Sequence, residues 1–207
     1  MIECVIMASG LSERYGKNKL LEKLGGREVV RHAADAARQA GLDPLAVTRS
    51  AAVKKLLDDD HVRCILHDLP RKSDTIHIAL NNLHADPEGF LFMPADQPLV
   101  LPATLIRMMQ MFRGRPDVPV RLGYGDAAGS PVLFPASFRQ DLLAYTGERG
   151  GMEVIRQKGM NCRVAEADYA WELWDVDTPE KMQQVRDVFP EYCCAVKAAL
   201  QVPGRSD

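Results

Sequence analysis

The sequence predicts an α/β fold with a mostly parallel central sheet and helices on both faces. Three observations point there. Short apolar runs alternate with helical patterns from one end of the chain to the other, as in repeated βαβ units. The first run, residues 2–8, is apolar apart from Glu3, as expected of a strand buried on both faces. A loop containing Gly10 and Gly16 follows it directly, at the strand end where open α/β sheets bind ligands.

The remaining elements follow in order. Residues 28–39 have apolar or Ala positions at helical spacing, and Gly41 is the stop. Residues 45–48 form a second strand, 51–57 a helix and 63–67 a third strand. Residues 73–83 read as a helix with Ser73 or Asp74 as its N-cap. The strand at 90–93 stops at Pro94, and Pro102 suits the first turn of a helix over 102–112. Further strands are expected at 118–122, 132–134, 162–165 and 171–174, and further helices at 137–145, 152–158 and 178–188. No repeat, linker or composition break interrupts this order. Residues 1–190 therefore read as one domain and 191–207 as a C-terminal tail, frayed at Val202-Pro203-Gly204.

Composition narrows the function. A chain of 207 residues can bury a core without disulfides or a structural metal. With 26 Lys+Arg against 28 Asp+Glu the net charge is −2, which argues against a general nucleic-acid binder. No run approaches the ~20 apolar residues that span a bilayer. The N-terminus carries Glu3 and no basic lead-in, so it reads as a strand and not a signal peptide. Five cysteines without CxxC spacing fit reduced thiols and a cytoplasmic location. Cys4, Cys64 and Cys162 read as buried hydrophobes, whereas a redox or metal role stays open for Cys193-Cys194. His67, His77 and His84 lack ligand spacing and read as polar helix or loop residues.

The first loop, Ala8-Ser9-Gly10-Leu11-Ser12-Glu13-Arg14-Tyr15-Gly16-Lys17-Asn18-Lys19, is the strongest local signal. Gly10 and Gly16 permit close backbone approach and positive φ. Backbone N–H groups there can cradle phosphate oxygens, with Arg14, Lys17 and Lys19 adding charge. The dinucleotide fingerprint GxGxxG is absent, and the Walker pattern fails because Asn18 follows Lys17.

This loop resembles the signature loop of the MobA-like NTP transferases, and it looks more specifically like that of the molybdenum cofactor cytidylyltransferases. Three later segments share the resemblance in family order: Met93-Pro94-Ala95-Asp96-Gln97-Pro98, Gly129-Ser130-Pro131-Val132, and Trp174-Asp175-Val176-Asp177-Thr178-Pro179-Glu180. The resemblance implies a three-layer, Rossmann-like nucleotidyltransferase fold. It also implies Mg2+-dependent transfer of CMP from CTP to the phosphate of molybdopterin, with release of pyrophosphate. Ala8, Ser9, Gly10, Ser12, Arg14, Gly16 and Lys19 would then bind the nucleotide. Lys19, Arg14 and Asp96 would be catalytic, Lys19 by stabilising charge at the α-phosphate. Asp96 would hold Mg2+, a hard cation suited to one or two carboxylates plus phosphate oxygens.

Asp177 is the second candidate metal ligand, and helix capping by Asp177 or Thr178 explains the same segment. Ser73 could meet the nucleotide or simply cap its helix. Glu148 and Met152 depart from the family's Gly-Asp-x-Gly segment, although Gly150-Gly151 still suits an anion-binding turn. The single Gly in Ala8-Ser9-Gly10 and Gln97 after Asp96 favour CTP over GTP within the family. A molybdenum hydroxylase or its maturation factor is the implied recipient. Two alternatives remain: the same chemistry on a sugar or alcohol phosphate, and a non-catalytic protein holding nucleotide or cofactor for a hydroxylase.

Overall fold

The computed structural model describes residues 1–10, 15–84 and 86–200. The strands are β1 (Ile2–Ala8), β2 (Lys23–Leu24), β3 (Arg27–Glu28), β4 (Pro44–Thr48), β5 (Arg63–Leu66), β6 (Gly89–Pro94), β7 (Val120–Tyr124), β8 (Ala127–Pro135) and β9 (Arg163–Glu166). The helices are α1 (Val29–Gln39), α2 (Ala51–Asp59), α3 (Lys72–Asn82), α4 (Pro102–Gly114), α5 (Arg139–Ala144), α6 (Gly151–Gln157) and α7 (Pro179–Leu200).

Seven strands form one sheet in the order β5-β4-β1-β6-β8-β7-β9, and β2-β3 is a separate hairpin. All neighbours are parallel except β8, which runs against both β6 and β7. A turn at Gly125 (φ +56°) joins β7 to β8, a connection only an antiparallel pair allows. The expected mostly parallel sheet is therefore present, with one reversed strand.

Three layers follow from strand alternation. On β1 every residue except Met7 is buried, and successive side chains face opposite sides of the sheet. Val5 packs with Ile76, Ala79 and Leu80 of α3 and with Leu142, Val154 and Ile155 of α5 and α6. Cys4 lies among Leu105, Met108 and Phe112 of α4 on the other side. Ile6 joins Val29 and Val30 of α1, Val53 of α2 and Met182 of α7 on that same side. Among the described residues no helix is long and apolar enough to cross a membrane.

Four local expectations need correction. Residues 171–174 do not form a strand; Ala170–Leu173 is a 3-10 turn. Its cause is Glu172, a fully buried carboxylate that accepts from the amides of Asp168 (2.9 Å) and Leu101 (3.1 Å) and curls the chain around itself. The helix expected over 137–145 is split into a 3-10 turn at Ala136–Phe138 and α5. The N-cap of α3 is Arg71, not Ser73 or Asp74. Asp74 instead accepts from the Arg71 amide at 2.9 Å, across the first turn.

The fourth concerns the end of the chain. Helix α7 does not stop near 188. It runs through Pro190 to Leu200. Proline forgoes one helical hydrogen bond, but here aromatic packing offsets the loss. Phe189 lies 5.4 Å edge-on to His32, and Tyr192 lies 5.9 Å edge-on to Trp171 and stacks on Phe189.

Candidate active site

Three loops meet at the carboxyl ends of β1 and β6. The first follows β1 and ends in a 3-10 turn, Lys19–Leu21, capped by Asn18, whose side-chain oxygen accepts from the Leu20 amide. That cap fixes Lys19 just outside the strand ends. The second loop starts where Ala95 donates its amide to Met7 O at 3.1 Å, which turns Asp96 outward. The third precedes α7, and the Val176 amide donates to Asp96 O at 2.9 Å. Backbone bonds thus lock the Asp96 and Asp175–Asp177 segments together before any side chain is considered.

Lys19 is the hub. Its side chain is 9% exposed, and Nζ donates to Asp96 Oδ2 at 2.5 Å and Asp177 Oδ1 at 2.7 Å. Burial pulls the ammonium pKa down, but the two carboxylates outweigh this and leave it raised. Asp175 stands beside the same group and accepts a hydrogen bond from Gln97. Burial, and then the negative charge of Asp96, push its carboxyl up to about 6.

Among the described residues, three carboxylates gather around this one ammonium. Asp96 and Asp177 bring two carboxylates to one place, the donor type a hard divalent cation takes. Among the described residues no three side chains form a complete metal cage. Two carboxylates are what a Mg2+ site completed by phosphate oxygens and water needs.

Open space lies around this hub. A cavity of about 250 Å3 is lined by Ser9, Gly10, Lys19, Arg71, Thr75 and Asp96, among others. A second, of about 540 Å3, is lined by Asp96, Gln97, Gly129, Ser130, Asp175 and Asp177. A third, of about 180 Å3, has an apolar wall of Ile76, Phe92, Val132, Phe134 and Met152 and a charged edge at Arg149.

Of the residues singled out in the sequence, Ser9, Gly10, Lys19 and Asp96 line the first cavity, and Asp96 and Asp177 the second. Ser12 and Arg14 lie outside the described residues. Ala8 is buried under Thr48, whose hydroxyl donates to Ala8 O at 3.0 Å. Gly16 takes φ +77° in the turn and lines none of the three cavities. Ser73 is wholly buried, and its hydroxyl accepts from the Gly147 amide at 3.1 Å. It ties α3 to the loop before α6 and is turned away from the cavity, as neither expectation for it foresaw.

Gln97 lines the second cavity and not the first. Sequence reasoning missed Thr75, Arg71 and the partner of Ser9. The Ser9 hydroxyl donates to Val47 O at 3.1 Å, so it accepts from His67 Nε2 at 2.8 Å. His67 thereby braces the first loop, and burial lowers its pKa, as does Arg49. No motif spacing signals this contact, because 58 residues separate the two.

Cavities at the carboxyl edge of a mostly parallel sheet, with carboxylates gathered on a buried lysine, are an arrangement suited to handling a phosphorylated ligand. A sequence profile of the MobA-like NTP transferase domain matches residues 4–162, and the chain belongs to that family. Rv0371c from Mycobacterium tuberculosis is 26% identical, with a TM-score of 0.79 over 90% of this chain and 98% of its own. A manganese complex of that protein superposes with a TM-score of 0.75 at 25% identity, over 90% of this chain and 98% of that one. The fold is also shared with a nucleotidyl transferase from Methanothermobacter thermautotrophicus, at 24% identity and a TM-score of 0.79, over 92% of this chain and 98% of that one. Among curated proteins none matches the sequence significantly.

Proposed function

We propose that the protein transfers CMP from CTP to the phosphate of molybdopterin, with Mg2+ as the metal and pyrophosphate as the leaving group. The observation that carries this reading is Lys19, on the first cavity, held by Asp96, which lines both cavities, and by Asp177, which lines the second. One cavity suits the nucleotide and the other the reacting phosphates.

In this scheme the loop over Ser9 and Gly10 receives the triphosphate, with the backbone open enough at Gly10 for close approach. Asp96 and Asp177 would hold Mg2+, and the metal would supply Lewis-acid stabilisation of charge at the α-phosphate. Lys19, its side chain mostly buried, supplies a fixed positive charge where negative charge develops. An oxygen of the acceptor phosphate attacks the α-phosphorus, a new P–O bond forms, and the bond to the β-phosphate breaks in line with it. Ser12 and Arg14 belong to the same phosphate-binding loop by family resemblance.

CTP is favoured by the Ala8-Ser9-Gly10 loop and Gln97, again by resemblance. The Mycobacterium relative's complex with manganese supports a divalent metal. The apolar wall of Phe92, Val132 and Phe134 favours a ring-bearing acceptor over a polyhydroxylated sugar phosphate. A molybdenum hydroxylase or its maturation factor would receive the product in the cytoplasm.

The test is a pyrophosphate-release screen over four nucleoside triphosphates, with and without molybdopterin and Mg2+. We expect release only with CTP, molybdopterin and metal together. Release with sugar or alcohol phosphates instead would assign the same chemistry to another acceptor. Tight Mg-nucleotide binding without turnover would leave a carrier protein.

A further inference from the structure

The three cavities share two residues, Pro94 and Lys72, and only Lys72 carries charge. Lys72 is exposed and pairs with no carboxylate among the described residues. Arg71, also exposed, lines only the first cavity, and two further cations are engaged. Lys19 is held by Asp96 and Asp177, and Arg149 lies 3.8 Å from Glu153.

Joining two phosphates requires bringing two anions into bonding contact against their mutual repulsion. A lysine already held by two carboxylates meets one of them. The second needs a cation that faces the nucleotide cavity, the carboxylates and the apolar cavity at once. We propose that Lys72 is that cation: it receives the acceptor's phosphate at the seam of the three cavities and holds it against the α-phosphate, while the apolar wall takes the acceptor's body. This rests on the nucleotidyl-transfer reading above and adds a binding residue to it. The family-like motifs do not include Lys72; they bracket it on either side.

The test uses the full chain, Mg2+ and a non-hydrolysable CTP analogue, with phenyl phosphate as the acceptor probe, read by calorimetry. Loss of one charged hydrogen bond in Lys72→Ala should weaken phenyl phosphate by about tenfold or more, with analogue affinity held within about threefold. Lys72→Arg should restore most of the loss, since it keeps the charge, and Lys72→Gln should not. Phenol, which lacks the phosphate, should not distinguish the variants. In turnover with molybdopterin, Lys72→Ala should raise the acceptor KM more than it lowers kcat.

The proposal is overturned if wild type does not bind phenyl phosphate, if Lys72→Ala binds it as wild type does, or if analogue affinity falls in parallel. A wrong functional reading shows differently. Wild type then releases no pyrophosphate with molybdopterin, while the phenyl phosphate comparison still reads Lys72.

Discussion

Lys19 bonds to carboxylates 77 and 158 residues further along the chain, so each substitution at this hub has two effects. Asp96→Asn removes one of the two carboxylates that hold Lys19 and, with it, a proposed metal ligand. Metal-dependent pyrophosphate release should fall by about two orders of magnitude or more, with circular dichroism unchanged. A variant retaining full activity would show that Asp96 does not hold the metal. Lys19→Ala should lower kcat by about a hundredfold, well beyond its effect on CTP affinity, because the charge matters most in the transition state.

Asp175 gives a test with a sign. Its carboxyl is raised from 3.8 to about 6 in the fold. The folded state therefore holds that proton more tightly than the unfolded chain does. Stability is lost as pH rises from about 4 through 6, and the full cost is present at neutral pH. Asp175→Asn should then stabilise the metal-free protein at pH 7 and make little difference below pH 4, as read by urea midpoints. No difference at pH 7 would mean that the crowding of carboxylates is relieved in solution.

At the scale of elements, the turn Ala170–Leu173 and helix α7 decide where the third loop sits. Glu172→Ala would strand the amides of Leu101, Asp168 and Tyr169 without their acceptor. Its expected cost is about 3 kcal/mol by denaturant unfolding. Tyr192→Ala removes a buried ring stacked on Phe189 and edge-on to Trp171. It should cost roughly 3 kcal/mol; a frayed tail would register no change.

Both elements were misread in sequence for physical reasons. Trp171, Leu173 and Trp174 look like strand residues, and nothing local reveals that Glu172 points inward to collect amides from a loop some 70 residues earlier. The sequence puts the end of the helix at 188, and only the distant partners His32 and Trp171 show why it continues through Pro190. The legible parts were those with local causes. Strands buried on both faces, such as β1 and β6, declare themselves by composition. Ser9, Gly10, Lys19 and Asp96 follow strand ends, where α/β sheets place their ligands. Ser73 and His67 escaped because their partners, Gly147 and Ser9, are set by tertiary packing.

For the whole molecule, the site is assembled from loops after β1, after β6 and before α7, so ligand binding must act on global stability. Among the described residues the cluster carries three carboxylates and one ammonium, that of Lys19. Mg-CTP would add positive charge at these carboxylates through the metal and bridge the first loop to the other two. Anything that binds only the folded state stabilises it by mass action, by about 2.7 kcal/mol at a hundred times Kd. For a chain of this size that corresponds to a rise in Tm of roughly 5–10 °C. Thermal unfolding should show this rise with CTP and Mg2+ together, a small one with either alone, and a small one with GTP and Mg2+. In Asp96→Asn the joint effect should shrink to that of CTP alone, because the nucleotide keeps its loop but loses the metal bridge. An undiminished rise in Asp96→Asn would place the metal elsewhere, and an equal rise with GTP would show that the loop after β1 holds the triphosphate without reading the base.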